Sequence, residues 1–245
     1  MEDLYKAGGS QRIFYELKDF LYLDAKSVNG TTLGEEIKNS AKWTQNIITD
    51  KSNPVFNAGS IAVLKGTLAP NSAIIKQSAA TESLLIHEGR AVVFEGLEDL
   101  ANRIDRDDLD VTKDDVLVLK SIGPKGGPGM PEAGLIPIPK KLAKQGVKDM
   151  VRISDGRMSG TASGTIILHV TPESYENGPL AIVQNGDLIK LDVPKRKIDL
   201  MISEEEIAER LLKRKELSIR RRGYNKIYME HVTQADRGVD FDFLI

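Results

Sequence analysis

The sequence has no cysteine among its 245 residues, so it holds no disulfide and no thiolate-bound zinc or iron–sulfur site of its own. It also has no apolar run of the roughly 20 residues that a membrane-spanning helix requires. The formal net charge of −2 gives no reason to expect a nucleic-acid or membrane partner. The amino terminus, MEDLYKAGG, lacks the apolar core of a signal peptide. Together these absences favour a cytoplasmic protein.

Short β-prone segments dominate the chain from Pro54 onward, and the chain is long enough to bury a large core. Each segment is rich in β-branched residues and is bounded by Gly, Pro, Asn or Asp, which is typical of strands. One strand is predicted at residues 150–154, just before a glycine-rich stretch. The eight other candidate strands are residues 61–64, 73–76, 91–94, 116–119, 165–170, 181–183, 188–193 and 198–201.

Helical spacing is sparse among these strands, where helices are predicted only at residues 97–104 and 139–145. A doubly wound sheet would need a helix after nearly every strand. The pattern therefore favours an α/β protein built on a compact barrel of about eight short strands with covering helices. Beyond the barrel, Ser203-Glu204-Glu205-Glu206 fits a capping box and predicts a further helix.

The amino-terminal part differs from the rest of the chain. Apolar positions in residues 1–23 recur with helical spacing and are interrupted at Gly8-Gly9, so a short and a longer helix are predicted. Another helix is predicted near residues 33–39, and Trp43 is expected to anchor this segment by burial. We therefore divide the chain into a helical segment at residues 1–53, a barrel at 54–202, and a carboxy-terminal helix and tail at 203–245.

Residues 123–134, GPKGGPGMPEAG, form the first of two glycine-rich loops. Glycine lets the backbone approach a ligand closely, and proline stiffens the turn. The backbone of such a loop is rigid and holds the carboxylate of Glu132 in one place, which suits a hard cation such as magnesium. The alternative is a surface turn with a solvated glutamate, because a single Glu after glycines is a weak signal.

Residues 155–164, DGRMSGTASG, form the second glycine loop. It exposes the hydroxyls of Ser159 and Thr161 and a run of backbone N–H groups, which could hold a carboxylate or a phosphate. The alternative is a tight β-connection in which Ser and Thr cap their own backbone. Asp155 and Arg157 are expected to pair and brace the loop. Glu132 and Ser159 are 27 positions apart, so only the tertiary fold could bring them together.

Three motifs resemble the carboxy-terminal domain of the dihydroxy-acid and sugar-acid dehydratases. They are GPKGGPGMPE (123–132), SDGRMSGTASGTIILHVTPES (154–174) and GPLAIVQNGDLIKLDV (178–193), and they occur in the order that the family shows. The resemblance extends to GSIAVLKGTLAP (59–70) and covers nearly the whole chain. It implies a swivelling β/β/α barrel and an enzyme that removes water from a 2,3-dihydroxy acid to give a 2-keto acid.

The resemblance also implies roles for individual residues. Glu132 corresponds to a magnesium ligand, and Ser159 to the serine proposed as the base that takes the C2 proton. Gly160 and Thr161 correspond to positions on the substrate side, next to the substrate carboxylate. The tail resembles that of the sugar-acid branch, of the arabinonate and xylonate type, where it packs near an active site and at a subunit contact. His231 is then a candidate substrate-binding residue.

The absence of cysteine is the main departure from the family. These dehydratases use an iron–sulfur cluster held by cysteines of an amino-terminal domain, which also supplies most of the magnesium ligands. The resemblance therefore implies that residues 1–53 are the connection from a missing amino-terminal domain, which is the expected partner. It also implies a homo-oligomer. We expect this chain alone to hold one magnesium ligand and the base, and to be inactive.

Other interpretations stay open. Within the family, the alternative substrates are branched-chain dihydroxy acids and phosphogluconate. A non-catalytic binding module that retains the barrel is a second alternative. A phosphate-binding enzyme ranks last, because no Gly-Lys-Ser/Thr loop follows a strand at the required spacing. His169 lies on an apolar strand near the second glycine loop, and it is given no role because the direction of its side chain is unknown.

Overall fold

The computed structural model describes residues 1–38, 40, 45–56, 58–133, 135–160, 162–214 and 222–244. These residues form two compact units, Met1–Gly59 and Ser60–Ile245. None of the helices in the described ranges has the length and apolarity that spanning a bilayer requires.

The first unit is helical. Its helices are α1 (Glu2–Lys6), α2 (Gly9–Glu16) and α3 (Leu33–Lys38), with a 3-10 turn at Lys18–Phe20. The predicted interruption between the first two helices is confirmed, because Gly8 and Gly9 take φ values of +108° and +59°. Trp43 and Asn39 lie outside the described residues, so the predicted burial of Trp43 stays a prediction.

A reciprocal capping box begins α3. The N–H of Glu35 donates to Oγ1 of Thr32 over 3.2 Å, and the N–H of Thr32 donates to Oε2 of Glu35 over 2.8 Å. Each bond satisfies a backbone donor that the helix itself leaves unpaired. The hydrogen bond from Thr32 holds the pKa of Glu35 below its usual value.

The second unit is a barrel of eight strands, as the sequence predicts. They run β1 (Ile61–Leu64), β2 (Ser72–Lys76), β3 (Ile86–Phe94), β4 (Val116–Leu119), β5 (Arg152–Ser154), β6 (Ile166–Thr171), β7 (Leu188–Asp192) and β8 (Lys197–Leu200). Their spatial order is β1-β2-β6-β5-β4-β3-β7-β8. The prediction of a strand at residues 181–183 is wrong, because Pro179–Ile182 forms a 3-10 helix with proline at its start.

Parallel and antiparallel pairs are segregated within the barrel. The four central strands β3, β4, β5 and β6 pair in parallel, whereas β1, β2, β7 and β8 pair antiparallel to their neighbours. The two ends of the sheet meet at Lys65 and Lys197. The N–H of Lys65 donates to the carbonyl of Arg196 over 3.0 Å, and the N–H of Ile198 donates to the carbonyl of Lys65 over 3.2 Å. These bonds close the barrel.

Side chains pack on both faces of the central strands. In β4, Val116 and Val118 belong to the core inside the barrel, whereas Leu117 and Leu119 belong to a second cluster. That second cluster includes residues of α4 (Leu97–Arg103) and α5 (Lys140–Lys144). Successive side chains point to opposite faces of a strand, so a strand that is covered on both faces reads as a continuous apolar run.

Two α-helices follow the barrel within residues 203–214 and 222–244. Helix α6 (Glu204–Lys213) begins at the predicted cap, where Oγ of Ser203 accepts a hydrogen bond from the N–H of Glu206 over 3.2 Å. Its residues Ile207 and Leu211 pack on the core inside the barrel. Helix α7 (Tyr224–His231) then leads into a short tail that contains a 3-10 turn at Ala235–Arg237.

Substitution of Gly66 should weaken the closure of the barrel. A Cβ at this position would lie 2.0 Å from the carbonyl oxygen of Ile198 and 2.4 Å from Oδ1 of Asp199. We expect Gly66→Ala to lower the free energy of unfolding by about 1–3 kcal/mol, measured by urea denaturation. Gly160→Ala is the matched control, since among the described residues no atom beyond its chain neighbours lies within 4 Å of the added Cβ. Equal stability of the two variants would contradict this account of the closure.

Candidate active site

Both glycine loops lie at one end of the barrel. Strands β4 and β5 are parallel neighbours, so the loops that follow them leave the sheet at the same edge. The first glycine loop (residues 123–134) follows β4, and the second (residues 155–164) follows β5. Glu173 follows the next parallel strand, β6, and therefore lies at this edge as well.

The two loops are joined directly. Glu132 and Arg157 form an isolated parallel bridge, in which the N–H of Ala133 donates to the carbonyl of Arg157 over 3.2 Å. The side chain of Arg157 binds the carbonyl of Met130, and its Nη1 lies 3.8 Å from Oε1 of Glu132. The Glu132 side chain is 52% exposed. The structure thus places Glu132 beside a residue two positions before Ser159.

Ser159 is half-buried at the middle of the second glycine loop. Its carbonyl accepts a hydrogen bond from the N–H of Ala162 over 3.1 Å, which closes a turn around Gly160. Nζ of Lys76, at the end of β2, donates to the carbonyl of Gly160 over 2.8 Å. Thr161 lies outside the described residues. The basic side chain of Lys76 therefore contacts the turn that carries the predicted base, whereas the side chain of Arg157 contacts the first glycine loop.

Asp155 has a different partner from the one that the sequence suggests. It does not pair with Arg157; it is fully buried and accepts hydrogen bonds from the N–H groups of Ile122 (3.0 Å), Ser121 (3.3 Å) and Ser174 (2.9 Å). Burial raises the pKa of Asp155, and these N–H groups act against that rise. Asp155 therefore fixes the backbone that enters the first glycine loop from beneath.

Glu173 is a second buried carboxylate under the same loop. Its oxygens accept hydrogen bonds from the N–H of Lys125 (2.9 and 3.0 Å) and from the N–H of Gly126 (3.0 Å). Burial raises the pKa of Glu173 to about 7, although hydrogen bonds from Gly126, Lys125 and Gln234 act in the opposite direction. A carboxylate there replaces the water that an irregular loop would otherwise bind.

The carboxy-terminal tail reaches the first glycine loop. Tyr228 of α7 contacts the backbone of Gly129, and burial raises the pKa of its hydroxyl. Three positions later, Nδ1 of His231 lies 2.9 Å from Oδ1 of Asp242, and both side chains are about half exposed, at 42% and 56%. Asp242 of the tail thus pairs with His231 at the end of α7, the helix whose Tyr228 contacts this loop.

His169 occupies an irregular position in β6. Its φ is +52°, which is rare for a residue with a side chain, and the register with β2 shifts nearby. Its N–H donates to the carbonyl of Gly156 over 3.1 Å, and its buried Nδ1 has no partner among the described residues. Burial and then the charge of Arg157 hold the pKa of His169 below its usual value. The backbone of His169 supports the second glycine loop.

A complete metal site is absent from the described part of the chain. No group of three or more His, Asp or Glu side chains there is placed to hold a metal ion. Glu132 offers one exposed carboxylate at the edge that carries Ser159, and its contact with Arg157 is long at 3.8 Å. Glu132 is therefore suited to be one ligand of a hard cation, and the described residues do not complete a site around it.

Sequence reasoning missed the groups that hold the loops in place. Glu173 lies within a motif that the family resemblance uses, yet an acidic residue after a strand gives no sign that it is buried. Its partner Gln234 is 61 positions away, and Lys76 is 84 positions from Gly160. Arg157 is the exception, because it lies two residues from Ser159 in the same loop and the sequence singles it out. The partner predicted for it, Asp155, is wrong.

The chain is similar to known proteins over nearly its whole length. Residues 46–239 match the family model described as "Dihydroxy-acid/6-phosphogluconate dehydratase C-terminal". The chain is 45% identical to an L-arabinonate dehydratase of Rhizobium leguminosarum bv. trifolii, over 100% of this chain and 43% of that relative. It is 43% identical to an L-arabonate dehydratase of Azospirillum brasilense, over 100% of this chain and 44% of the relative.

The similarity extends to a dihydroxy-acid dehydratase of Carboxydothermus hydrogenoformans, which is 42% identical over 98% of this chain and 44% of the relative. The chain thus spans less than half the length of the curated relatives that it matches. The family match covers the barrel, both glycine loops and α7. The chain belongs to the dihydroxy-acid/6-phosphogluconate dehydratase family, and it corresponds to the carboxy-terminal domain of that family.

Proposed function

We propose that this chain is the carboxy-terminal part of a magnesium-dependent, iron–sulfur dehydratase that converts a sugar acid to a 2-keto-3-deoxy acid. One observation carries the proposal. The Glu132–Arg157 bridge joins the two glycine loops at one edge of the barrel, two residues from Ser159. A carboxylate for a cation and a hydroxyl for proton transfer thereby occupy adjoining loops, as an acid–base reaction at a hydroxylated carbon requires.

Ser159 is the proposed base at the substrate C2 carbon. A serine hydroxyl is a weak base unless positive charge and N–H donors stabilise its alkoxide. Nζ of Lys76 donates to the carbonyl of Gly160, the residue after Ser159, whereas the Arg157 side chain is directed at the first glycine loop. We infer that the positive charge of Lys76 favours loss of the hydroxyl proton. Position 160 is open to solvent on the side where a side chain would stand, since among the described residues no atom other than those of its chain neighbours lies within 4 Å of a Cβ built there.

Glu132 is the proposed magnesium ligand of this chain. When bound, the magnesium ion supplies charge stabilisation for an enolate-like state, and the cluster supplies a Lewis-acidic iron for the departing C3 hydroxyl. The cysteines for that cluster must come from outside this chain, because its sequence contains none. The proposal therefore includes an amino-terminal, cluster-bearing partner region, a homo-oligomeric enzyme and a cytoplasmic setting, and it makes this chain inactive on its own.

The tail supports a sugar acid as the substrate class. His231 and Asp242 form a half-exposed polar pair on the segment that contacts the first glycine loop. Beyond their bond to each other, the imidazole and the carboxylate have further donor and acceptor positions that substrate hydroxyl groups could fill and a branched apolar substrate could not. The names of two similar relatives, the arabinonate dehydratases, point the same way. Branched-chain dihydroxy acids, phosphogluconate and a non-catalytic module remain as outcomes of the experiments below.

Removal of the Ser159 hydroxyl should abolish turnover and leave the fold intact. We expect Ser159→Ala, in the full-length protein that carries this chain, to lower kcat by at least about a thousandfold, because no other group replaces the base. The measurement is release of 2-keto acid, with circular dichroism to check the fold. Ser163→Ala in the same loop is the matched control and should keep most activity. Comparable activity of the two variants would remove Ser159 from this role.

Neutralising Glu132 should weaken magnesium binding. We expect Glu132→Gln to raise the magnesium concentration needed for half-maximal activity by at least about tenfold, since an amide is a poorer ligand for a hard cation. Magnesium titration of the full-length protein by calorimetry gives a second readout that needs no turnover. Glu209→Gln, at an exposed ion pair with Lys213 on α6, is the control. Unchanged magnesium affinity in Glu132→Gln would argue against the ligand.

The substrate class can be tested with a small panel of acids. We expect kcat/KM for a pentonic acid such as L-arabinonate to exceed that for a branched 2,3-dihydroxy acid by at least about a hundredfold. His231→Ala should reduce this ratio, whereas His87→Ala, whose ring bonds to the carbonyl of Asp114, should not. Preference for the branched acid or for 6-phosphogluconate would select one of the alternative substrates, and turnover of none would favour the binding module.

A further inference from the structure

Glu173 contacts two segments that are far apart in sequence. On one side its oxygens accept hydrogen bonds from the N–H groups of Lys125 and Gly126 in the first glycine loop. On the other side Nε2 of Gln234, in the tail, donates to Oε1 of Glu173 over 2.7 Å. The N–H of Glu173 donates back to Oε1 of Gln234 over 2.8 Å. A single buried residue thus joins the loop to the tail.

The fit around Glu173 is tight on the loop side. A Cβ built at Gly123 would lie 2.7 Å from Oε2 of Glu173 and 2.9 Å from its Cβ. The loop can therefore approach the carboxylate this closely only because position 123 has no side chain. The N–H of Gly178 donates to the backbone carbonyl of Glu173 over 3.0 Å, which fixes the residue from the opposite direction. The carboxylate has little room to move away from the loop.

The tail is folded on itself around Gln234. The N–H of Thr233 donates to the carbonyl of Asp240 over 2.8 Å, and the N–H of Val239 donates to the carbonyl of Gln234 over 3.3 Å. The rings of Phe241 and Phe243 stack at 5.2 Å between their centroids. Displacement of Gln234 would therefore displace the segment that includes His231 and Asp242 as well, since these contacts make it one small unit.

We infer that Glu173 is a positioning residue that couples the seating of the tail to the conformation of the first glycine loop. The loop and the tail each donate hydrogen bonds to the buried carboxylate of Glu173, so each segment helps to hold that carboxylate where the other segment binds it. When the tail leaves, Glu173 loses one donor and its cover, so water competes for the N–H groups of the loop. The coupling between tail and loop depends only on the hydrogen bonds described here. Its expected consequence is that the seated tail aligns His231 with Glu132, and that part rests on the function proposed above.

Glutamine cannot replace Glu173 in this arrangement. Oε1 accepts from Lys125 and Gln234, and Oε2 accepts from Lys125 and Gly126. An amide at this position would direct its NH₂ group at an existing donor in either orientation. Gln234→Ala, in contrast, removes only the bonds of the tail. The two substitutions therefore separate the two sides of the contact.

Hydrogen exchange measured by mass spectrometry on the full-length protein at pH 8 tests the coupling. We expect Gln234→Ala to speed exchange in tail peptides (residues 222–244) by about tenfold, the effect of losing one or two buried hydrogen bonds. The same variant should speed exchange in loop peptides (residues 121–133) by about threefold, because coupling acts in both directions. Glu173→Gln should speed exchange in both sets by about tenfold or more.

The controls isolate the contact. Glu176→Gln, which alters the nearby ion pair with Nζ of Lys125, should leave the tail peptides as in the wild type. The exchanged pair Glu173→Gln/Gln234→Glu restores an acid–amide contact to the tail but leaves an amide facing the N–H of Lys125, so tail protection should recover further than loop protection. A purely structural loss of stability would not recover unequally in the two segments.

If the loop peptides of Gln234→Ala exchange at the same rate as those of the wild type, the coupling is wrong, since the two segments are then held independently. Failure of the exchanged pair to restore the tail would contradict the coupling as well. Because exchange needs no turnover, absence of dehydratase activity would refute the proposed function and leave this result standing. If Glu173→Gln does not fold, Gln234→Ala decides the question alone. Where activity is present, Gln234→Ala should raise KM more than it lowers kcat.

Discussion

Two buried carboxylates hold the edge of the barrel that carries the candidate site. Asp155 accepts the N–H groups of Ser121, Ile122 and Ser174, and Glu173 accepts those of Lys125 and Gly126. A glycine-rich loop has no helix or strand to satisfy its backbone donors, and burial without partners would cost each about 1–3 kcal/mol. The two acids solve this problem for the first glycine loop, and the N–H of Ser174 links one acid to the segment that carries the other.

The strands could be predicted because their side chains alternate between two buried faces. Seven of the eight candidate strands correspond to observed strands, and the separately predicted segment at 150–154 contains β5. The failure at residues 181–183 has a physical cause. A four-residue apolar run fits a buried strand or a buried turn equally well, and here Pro179 begins a 3-10 helix. Burial of Leu180 and Ile182 satisfies the same hydrophobic pattern without a strand.

The site was predictable only in part, and the limit lies in sequence separation. Glu132 and Ser159 stand in recognisable motifs, so their loops could be singled out from the sequence. The side chains that position these loops could not. Glu173 meets Gln234 across 61 positions, and Asp155 meets Ile122 across 33. No local period connects such pairs, so the sequence predicts a pair between Asp155 and its neighbour Arg157, whereas the partners of Asp155 in the structure are backbone N–H groups.

Burial separates the carboxylates of this edge into two kinds. Asp155 and Glu173 have no exposed surface, whereas the Glu132 side chain is 52% exposed and makes a long contact of 3.8 Å with the Arg157 side chain, which is itself 45% exposed. A rigid loop with one exposed acid can meet a cation without reorganising, because the buried acids have already fixed its backbone. If Glu132 binds the proposed magnesium ion, the described residues do not complete its ligand set, and further oxygen ligands have to come from residues beyond them. That condition is compatible with a chain that spans less than half the length of its relatives.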